Sequence, residues 1–238
     1  MKILSIDTSS NICGVSILED KNLICSLDTD TGRTHSENLI PMISEVLEKT
    51  NLTLKDIDLI VCDKGPGSFT GIRIGISTAK AFHDSLNIPC VGISSLEALA
   101  YNIEDKKIIC SIIDCKNDNC YFSLYENQDG ILTELVEPQA ESYEAALSIV
   151  KSYLEDNLNN LDITFVGDGS ELYKDLISSY FSNANFAGKQ YNILNSYKLG
   201  IAGFNKYNVN NESEELLPLY LKKPQAQRLL EEKMKSKE

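Results

Sequence analysis

The chain has 238 residues, 42% of them hydrophobic, and its 22 basic and 35 acidic residues give a formal charge of −13. This length allows a substantial core in one large domain or two lobes, while the negative charge excludes an extended nucleic-acid footprint made by this chain alone. A carboxylate at Asp7 and the lack of any 18-residue apolar run argue against a signal peptide and a membrane span, and predict a cytoplasmic protein.

Strand and helix patterns alternate in a definite order through the first half. Alternating or continuous apolar runs predict three strands, a helix, a fourth strand and, after a glycine-rich run, a second helix. In chain order these elements are residues 2–7, 12–18, 23–27, 35–49, 58–62 and 70–86.

The glycine-rich run is Gly65-Pro66-Gly67-Ser68-Phe69-Thr70-Gly71-Ile72-Arg73-Ile74-Gly75. It lies between a predicted strand and a predicted helix, where free backbone N–H groups can bind an anion, so a phosphate-type site is one hypothesis. It is neither a Walker A motif nor the dinucleotide fingerprint, because the required lysine and glycine spacing are missing. A tight turn with close helix packing is the alternative, and the loop alone does not decide between them.

Small residues recur every four positions in the second helix, at Gly71, Gly75 and Ala79. They fall on one face and leave a shallow groove that another backbone can approach closely. The neighbour could belong to the same chain or to another chain, and both interpretations stay open.

The order of elements restarts after residue 106. Strands near 107–114, 119–125 and 132–136 precede a helix at 143–155, a strand at 162–166, a Gly167-Asp168-Gly169 turn and a helix at 171–180. Two β-β-β-α-β-α lobes predict an α/β, actin-like architecture of the ASKHA, ribonuclease H-like type. We expect lobes at 1–104 and 105–223 and a charged tail at 224–238.

In such a duplicated fold the strand-end turns converge on the cleft between the lobes, where they can contact phosphate. The candidate residues are Asp7, Thr8, Ser9, Gly65, Gly67, Ser68, Asp114, Gly167 and Gly169.

Cysteines and histidines offer little to a metal site. The seven cysteines include no C-x-x-C pair and lie mostly in strand patterns, so reduced structural thiols are expected. Only His35 and His83 are present, without an H-E-x-x-H motif, which argues against a zinc hydrolase.

Four segments carry a family resemblance: residues 3–9, the helix start at 35–41, the run at 65–75 and residues 218–222. Together they resemble the TsaB family, also called YeaZ. The resemblance implies a non-catalytic subunit, without a cofactor, for synthesis of N6-threonylcarbamoyladenosine at position 37 of tRNAs that read ANN codons. It also implies a heterodimer with the catalytic paralogue TsaD, recruitment of the ATPase TsaE, a homodimer when the partner is absent, and tRNA contact only through the complex.

The resemblance also assigns roles to individual positions. Ser95 and Leu99 stand where the paralogue has the two metal-binding histidines of an H-x-x-x-H motif, and neither side chain is a useful metal ligand. The family usually has Asp-Ala-Arg-Arg where this chain has Asp-Cys-Lys-Asn from position 114, so the phosphate loops are interpreted as vestigial. The implied partner interface comprises His35, Leu39, Ile43, Gly71, Arg73, Gly75 and Ala79.

Two other function classes stay open at this point. An autonomous ATPase or kinase of the same fold would need a catalytic carboxylate, and only Asp7, Asp114 and Asp168 are candidates. A glycoprotease-like peptidase would need a nucleophile with a base or a metal triad, which two histidines hardly provide.

Overall fold

The computed structural model describes residues 1–30, 34–157, 162–210 and 213–222. The predicted tail at 224–238 lies outside these residues. The first half builds a five-stranded sheet in the order β3-β2-β1-β4-β5. Its strands are β1 (Lys2–Asp7), β2 (Cys13–Glu19), β3 (Asn22–Thr29), β4 (Leu59–Asp63) and β5 (Cys90–Ile93).

The second half repeats this topology. Its sheet has the order β10-β9-β6-β7-β8, so each strand takes the place of the strand five positions earlier in the first sheet. In both sheets the first three strands are antiparallel and the last two run parallel to the first. The strands are β6 (Ile108–Asp114), β7 (Asn119–Gln128), β8 (Ile131–Ser142), β9 (Ile163–Val166) and β10 (Asn185–Phe186). The predicted duplication is confirmed.

The first half contains helices α1 (His35–Thr50), α2 (Phe69–Leu86) and α3 (Ser95–Ala100). A capping box begins α1, and in it the Thr34 backbone N–H donates to the Glu37 carboxylate at 3.1 Å. At the start of α2 the Gly71 N–H donates to the Ser68 hydroxyl at 3.2 Å. Helices α1 and α2 cover one face of the first sheet.

The second half contains α4 (Tyr143–Asn157), α5 (Asp168–Leu172), α6 (Lys174–Tyr180) and α7 (Ser196–Asn210). The single helix predicted at 171–180 is wrong, because Tyr173 leaves the helical conformation between α5 and α6. The Tyr173 ring stacks on Tyr143 at 3.6 Å and its hydroxyl donates to Asp118 at 2.6 Å, which fixes this break.

Two late segments return to the first sheet. α7 packs on it so closely that a Cβ at Gly203 would lie 2.2 Å from Val61 Cγ2. Residues 213–222 then run beside β5 and β4, where the Glu214 N–H donates to Cys90 O at 3.0 Å and the Leu219 N–H donates to Lys64 O at 2.7 Å. By packing, these segments belong to the first sheet, although the sequence places them in the second half.

The groove expected on α2 for another chain is filled from within. A Cβ at Gly71 would lie 1.9 Å from Thr8 O, and one at Gly75 would lie 2.6 Å from Thr8 Oγ1. The remaining face residues are buried against the same sheet: Leu39, Ile43 and Ala79. β1 and its turn occupy that face, so the structure supports packing inside the chain, and contact of these five residues with a partner stays a prediction.

Candidate functional site: the cleft between the two sheets

A cleft of about 700 Å³ lies between the two halves at the ends of their first strands. Of the predicted loop residues, four line it: Ser9, Gly67, Ser68 and Asp114. The other five lie behind these in the wall: Asp7, Thr8, Gly65, Gly167 and Gly169. The lining also includes Tyr121 and residues 192–194, which no motif indicated.

The first wall contains a buried chain of polar side chains. Asp7 ends β1 and Asp63 ends β4, and both carboxylates are at most 2% exposed. The Ser9 hydroxyl lies 2.8 Å from Asp7 Oδ1 and 3.0 Å from Asp63 Oδ2. Ser95 Oγ donates to Asp63 Oδ1 at 2.7 Å. The sequence analysis missed Asp63, which directly follows the strand predicted at 58–62, although the signal that indicated Asp7 and Asp114, an aspartate at the end of an apolar run, is present there as well.

Burial dominates the titration of this pair. Desolvation raises the pKa of Asp7 to about 6, partly offset by its hydrogen bonds from Ser9. Burial also raises the pKa of Asp63 well above its usual range, and the neighbouring Asp7 charge raises it further. The two carboxyl groups therefore resist carrying two negative charges together.

Three backbone donors in the first wall are already used. The Ser9 N–H donates to Asp7 Oδ1 at 2.8 Å, the Ser68 N–H to Ser9 O at 2.7 Å and the Gly65 N–H to Asp63 Oδ1 at 2.6 Å. A phosphate at this loop would have to displace these bonds, because an anion site needs amides that point at the ligand.

The second wall satisfies its own donors in a different way. The Asp114 N–H donates to Asp168 Oδ1 at 2.9 Å, and the Gly167 N–H donates to Asn192 Oδ1 at 2.9 Å. Lys116 Nζ lies 3.0 Å from Asp114 Oδ2. Lys116 and the two residues after it have φ between 55° and 68°, so the β6–β7 turn is left-handed over three successive residues.

The charge of the lining disfavours a polyphosphate. Asp30, Asp114 and Asp168 line the cleft together with Lys116, whose ammonium group is paired with Asp114. An ATP phosphate chain would meet carboxylates in place of the cations that usually hold it.

The two positions predicted from the resemblance to replace the paralogue's histidines lie one turn apart in α3. Ser95 is fully buried and bonded to Asp63, while Leu99 is 2% exposed and places an apolar side chain at the cleft. Within the described ranges, no group of three or more His, Cys, Asp or Glu side chains could hold a metal ion. All seven cysteines are free thiols, and five of them are buried.

Of the predicted partner residues, His35 and Arg73 are the two that are not fully buried. His35 Nε2 lies 2.8 Å from Ser10 O, so α1 is attached to the rim of the cleft. Arg73 is exposed on α2, its Nε donates to the Tyr220 hydroxyl at 2.7 Å, and its guanidinium lies 3.8 Å from the centroid of the Phe69 ring. Phe69 and Tyr220 stack at 4.8 Å, which fixes the guanidinium plane.

Comparison with known proteins gives a consistent result. A family model described as TsaD, tRNA N6-adenosine threonylcarbamoyltransferase, matches residues 28–229. The tRNA threonylcarbamoyladenosine biosynthesis protein TsaB of Bacillus subtilis (strain 168) is 32% identical over 189 residues, covering 79% of this chain and 80% of that protein. The chain belongs to the TsaB family of tRNA threonylcarbamoyladenosine biosynthesis proteins.

A second TsaB relative agrees with this assignment, and two solved structures share the fold. TsaB of Buchnera aphidicola subsp. Schizaphis graminum is 36% identical over 172 residues, covering 70% of this chain and 78% of that protein. YeaZ from Pseudomonas aeruginosa superposes with a TM-score of 0.69 at 24% identity, covering 92% of this chain and 99% of that one. The ROK hexokinase from Thermus thermophilus gives 0.51 at 10% identity, covering 87% and 99%. The predicted actin-like fold of this TsaB-family chain is confirmed. Of the helices in the described ranges, none combines the length and apolar character needed to cross a membrane.

Proposed function

We propose that this chain is the non-catalytic scaffold and activator subunit for formation of N6-threonylcarbamoyladenosine at position 37 of tRNAs that read ANN codons. It acts by dimerising with a TsaD-type catalytic paralogue and by recruiting a TsaE-type ATPase. The observation that carries the proposal is the hydrogen bonding of the cleft walls. At the predicted phosphate loops, the amides described above bond to the chain's own oxygens.

The missing metal ligands support the same conclusion. Ser95 is committed to Asp63, and Leu99 has no donor atom, so this pair of positions cannot hold a catalytic cation. An active site needs preorganised groups that stay available to a substrate. Here the equivalent groups hold the cleft walls together.

The partner surface is assigned to the outer sides of α1 and α2. Ile40 is 50% exposed on α1. Phe69 and Arg73 are exposed at the start of α2, and Tyr220, exposed on the 213–222 segment, lies beside them. A rigid arginine on aromatic rings beside an exposed aliphatic residue has the composition of an interface hot spot. With a net charge of −13, this chain contacts tRNA only through the complex. The same surface pairs two copies when the partner is absent.

Reconstitution tests the proposal. The purified chain is mixed with the TsaD-type and TsaE-type proteins of the same organism, threonylcarbamoyl-adenylate and an ANN-reading tRNA, and the modified nucleoside is measured by mass spectrometry. Product is expected only when this chain and the paralogue are both present. ATP turnover above about 1 s⁻¹ by the chain alone, the low end for enzymes, would instead support an autonomous ATPase.

Surface variants test the interface. Ile40→Asp and Arg73→Glu are each expected to weaken binding of the paralogue by about tenfold or more, since either places an unpaired charge against the partner. Leu172→Asp is the control, because Leu172 is 64% exposed on α5 in the other half. Equal affinity for all three variants and the wild-type chain would remove α1 and α2 from the interface.

A further inference from the structure

Two buried carboxyl groups share one hydroxyl group at the centre of the first cleft wall. The Ser9 hydroxyl lies within hydrogen-bond distance of both Asp7 Oδ1 and Asp63 Oδ2, at 2.8 and 3.0 Å. A serine hydroxyl carries one proton and can donate to only one of these oxygens. The second contact is a hydrogen bond only if the carboxyl group itself brings a proton.

The remaining donors around the two carboxyl groups do not supply the missing proton. Asp63 Oδ1 already accepts from the Gly65 N–H and the Ser95 hydroxyl, and Asp7 Oδ1 accepts from the Ser9 N–H. Among the described residues, the Ser9 hydroxyl is the one hydrogen-bonding group at Asp63 Oδ2. A protonated Asp63 donates from Oδ2 to Ser9 Oγ, which then donates to Asp7, and every contact in the chain is satisfied.

We propose that Asp7 and Asp63 hold one shared proton at neutral pH, and that this proton fastens the β1–β2 turn to the glycine loop. The loops face each other where a related ATPase would bind phosphate between them. Here the hydrogen-bonded chain runs directly from the β1–β2 turn, through Ser9, to Asp63 at the end of β4. The attachment of these two loops to each other therefore depends on pH.

Charged groups on the neighbouring elements act on the pair in opposite directions. Asp28 of β3 opposes a second negative charge on the pair, and His35 of α1 favours it. Cys62 precedes Asp63 on β4, and its thiol is neutral because burial raises its pKa well above the ordinary value. From α3 the pair receives only the Ser95 hydroxyl.

Loss of the proton acts on the loops that the pair holds. The Ser68 N–H donates to Ser9 O and the Ser95 N–H donates to Gly65 O. Ser9 and Gly65 in turn bond to the two carboxyl groups, so both loops depend on the pair. Two carboxylates around a single hydroxyl repel each other in a dry environment. We expect the loops to loosen and the melting temperature to fall when the second carboxyl group ionises.

The direction with pH follows from the raised pKa values. An acid whose pKa is higher in the folded state than its unfolded value of about 3.9 binds its proton more tightly when folded. That stabilisation is complete below about pH 4 and is lost in two steps as the pH rises: Asp7 ionises near its pKa of about 6, and the shared proton leaves only when the pH passes the raised pKa of Asp63. The wild-type chain therefore loses stability from mildly acidic toward alkaline pH.

The test compares Asp63→Asn with the wild-type chain across this range. Asparagine keeps an Oδ1 acceptor for Gly65 and Ser95, and its Nδ2 donates to Ser9 Oγ in place of the acid proton. The difference in melting temperature, variant minus wild type, is expected to be near zero at about pH 5 and to reach about +2 to +4 °C at about pH 8.5. Asp114→Asn is the matched control, and its difference is expected not to increase with pH.

Several outcomes decide the proposal. A difference for Asp63→Asn that is independent of pH, or negative at alkaline pH, overturns it. Asp7→Asn should reproduce the alkaline gain, and the double variant should add nothing further, because one shared proton is replaced only once. If neither variant folds, infrared spectroscopy of the wild-type chain still decides: a protonated carboxyl stretch at neutral pH that disappears at alkaline pH supports the shared proton, and its absence at neutral pH rejects it.

Discussion

The two walls of the cleft start from the same topology and use it differently. In the first wall Asp7 is buried and bonded through Ser9 to Asp63, the last residue of β4. In the second wall Asp114 occupies the corresponding end of β6, but β9 ends in Val166, and the neighbouring carboxyl group, Asp168, lies beyond that strand at the start of α5, where it accepts from the Asp114 N–H. Asp114 instead pairs with the solvent-exposed Lys116.

This difference shows that a duplicated fold fixes where polar side chains meet but not what they do there. One additional carboxyl group at the end of β4 turns a strand-end turn into a closed, dry hydrogen-bonded chain. Its absence in the second half leaves a turn whose charge is balanced by a lysine at the surface. Substitutions in the first wall should therefore have larger effects than matched substitutions in the second.

The largest effect is expected from Gly71→Ala. Its Cβ would lie 1.9 Å from Thr8 O, and a backbone oxygen held in β1's turn cannot move away easily. We expect a loss of about 2 to 3 kcal/mol in the free energy of unfolding, typical of overpacking, measured by urea denaturation. Gly169→Ala in the second half would place its Cβ 2.7 Å from both Ile112 Cγ2 and the Tyr143 hydroxyl, which are side-chain atoms and farther away than the Thr8 backbone oxygen, and should lose less.

Ser77→Ala is the control for Gly71→Ala, because Ser77 is exposed on the same helix. It should change stability by less than about 0.5 kcal/mol. If Gly71→Ala folded as stably as Ser77→Ala while losing affinity for the paralogue, the bare face of α2 would belong to the partner surface after all.

A smaller effect separates two buried serines. Ser95→Ala removes a donor to the buried Asp63 carboxyl group and should cost about 1 to 2 kcal/mol. Ser111→Ala on β6 removes a hydroxyl that is equally buried but has no hydrogen-bond partner within the described residues, and should be neutral or stabilising. Equal losses in the two variants, measured by chemical denaturation, would contradict the contrast between the walls.

The strand order, the duplication and the position of the cleft could be predicted from the sequence, because each rests on local patterns. Apolar runs define β1 and β6, and each ends in an aspartate. The direction of the α2 glycine face could not be predicted, because a spacing of four specifies a face without its neighbour. Asp63 also ends an apolar run, but its pairing with Asp7 depends on β4 lying next to β1 in the sheet, which a local pattern does not specify.

The path of the chain after β9 was also beyond local patterns. α7 has a weakly amphipathic sequence. It contacts the first sheet at Gly200 and Gly203, which pack against Leu18 and Val61 and add nothing to an apolar stripe. The return of residues 213–222 to the first sheet depends on contacts more than 100 positions apart in sequence, such as the Cys90 N–H donating to Ser213 Oγ at 3.0 Å. Neither feature has a periodicity that a single sequence can reveal.

In the second wall, Tyr173→Phe should have a modest effect. The hydroxyl bond to Asp118 is lost, while the ring stack on Tyr143 is kept. Because Asp118 is exposed, we expect a loss of about 0.5 to 1 kcal/mol in the free energy of unfolding. Tyr173→Leu also loses the stack and should be less stable than Tyr173→Phe by a further 0.5 to 1.5 kcal/mol, about the value of an aromatic pair. Identical denaturation curves for the two variants would mean that the stack does not hold the α5–α6 break.

The smallest expected effect is that of nucleotide on the wild-type chain. ATP with Mg²⁺ should not raise the melting temperature, because both walls have committed their loop amides to their own carboxylates and carbonyls, and the free edge of the cleft is acidic. A ligand that binds only the folded state stabilises it by about 2.7 kcal/mol at 100 times its dissociation constant, so even millimolar binding would be visible in a titration of the melting temperature. A sugar kinase of the same fold, measured under identical conditions, is the positive control. A saturable rise in melting temperature for this chain would show that one wall opens to release its donors. The Asp63→Asn variant, which holds the first wall closed at all pH values, would then identify that wall. The rise should disappear in this variant if the first wall opens and persist if the second wall opens.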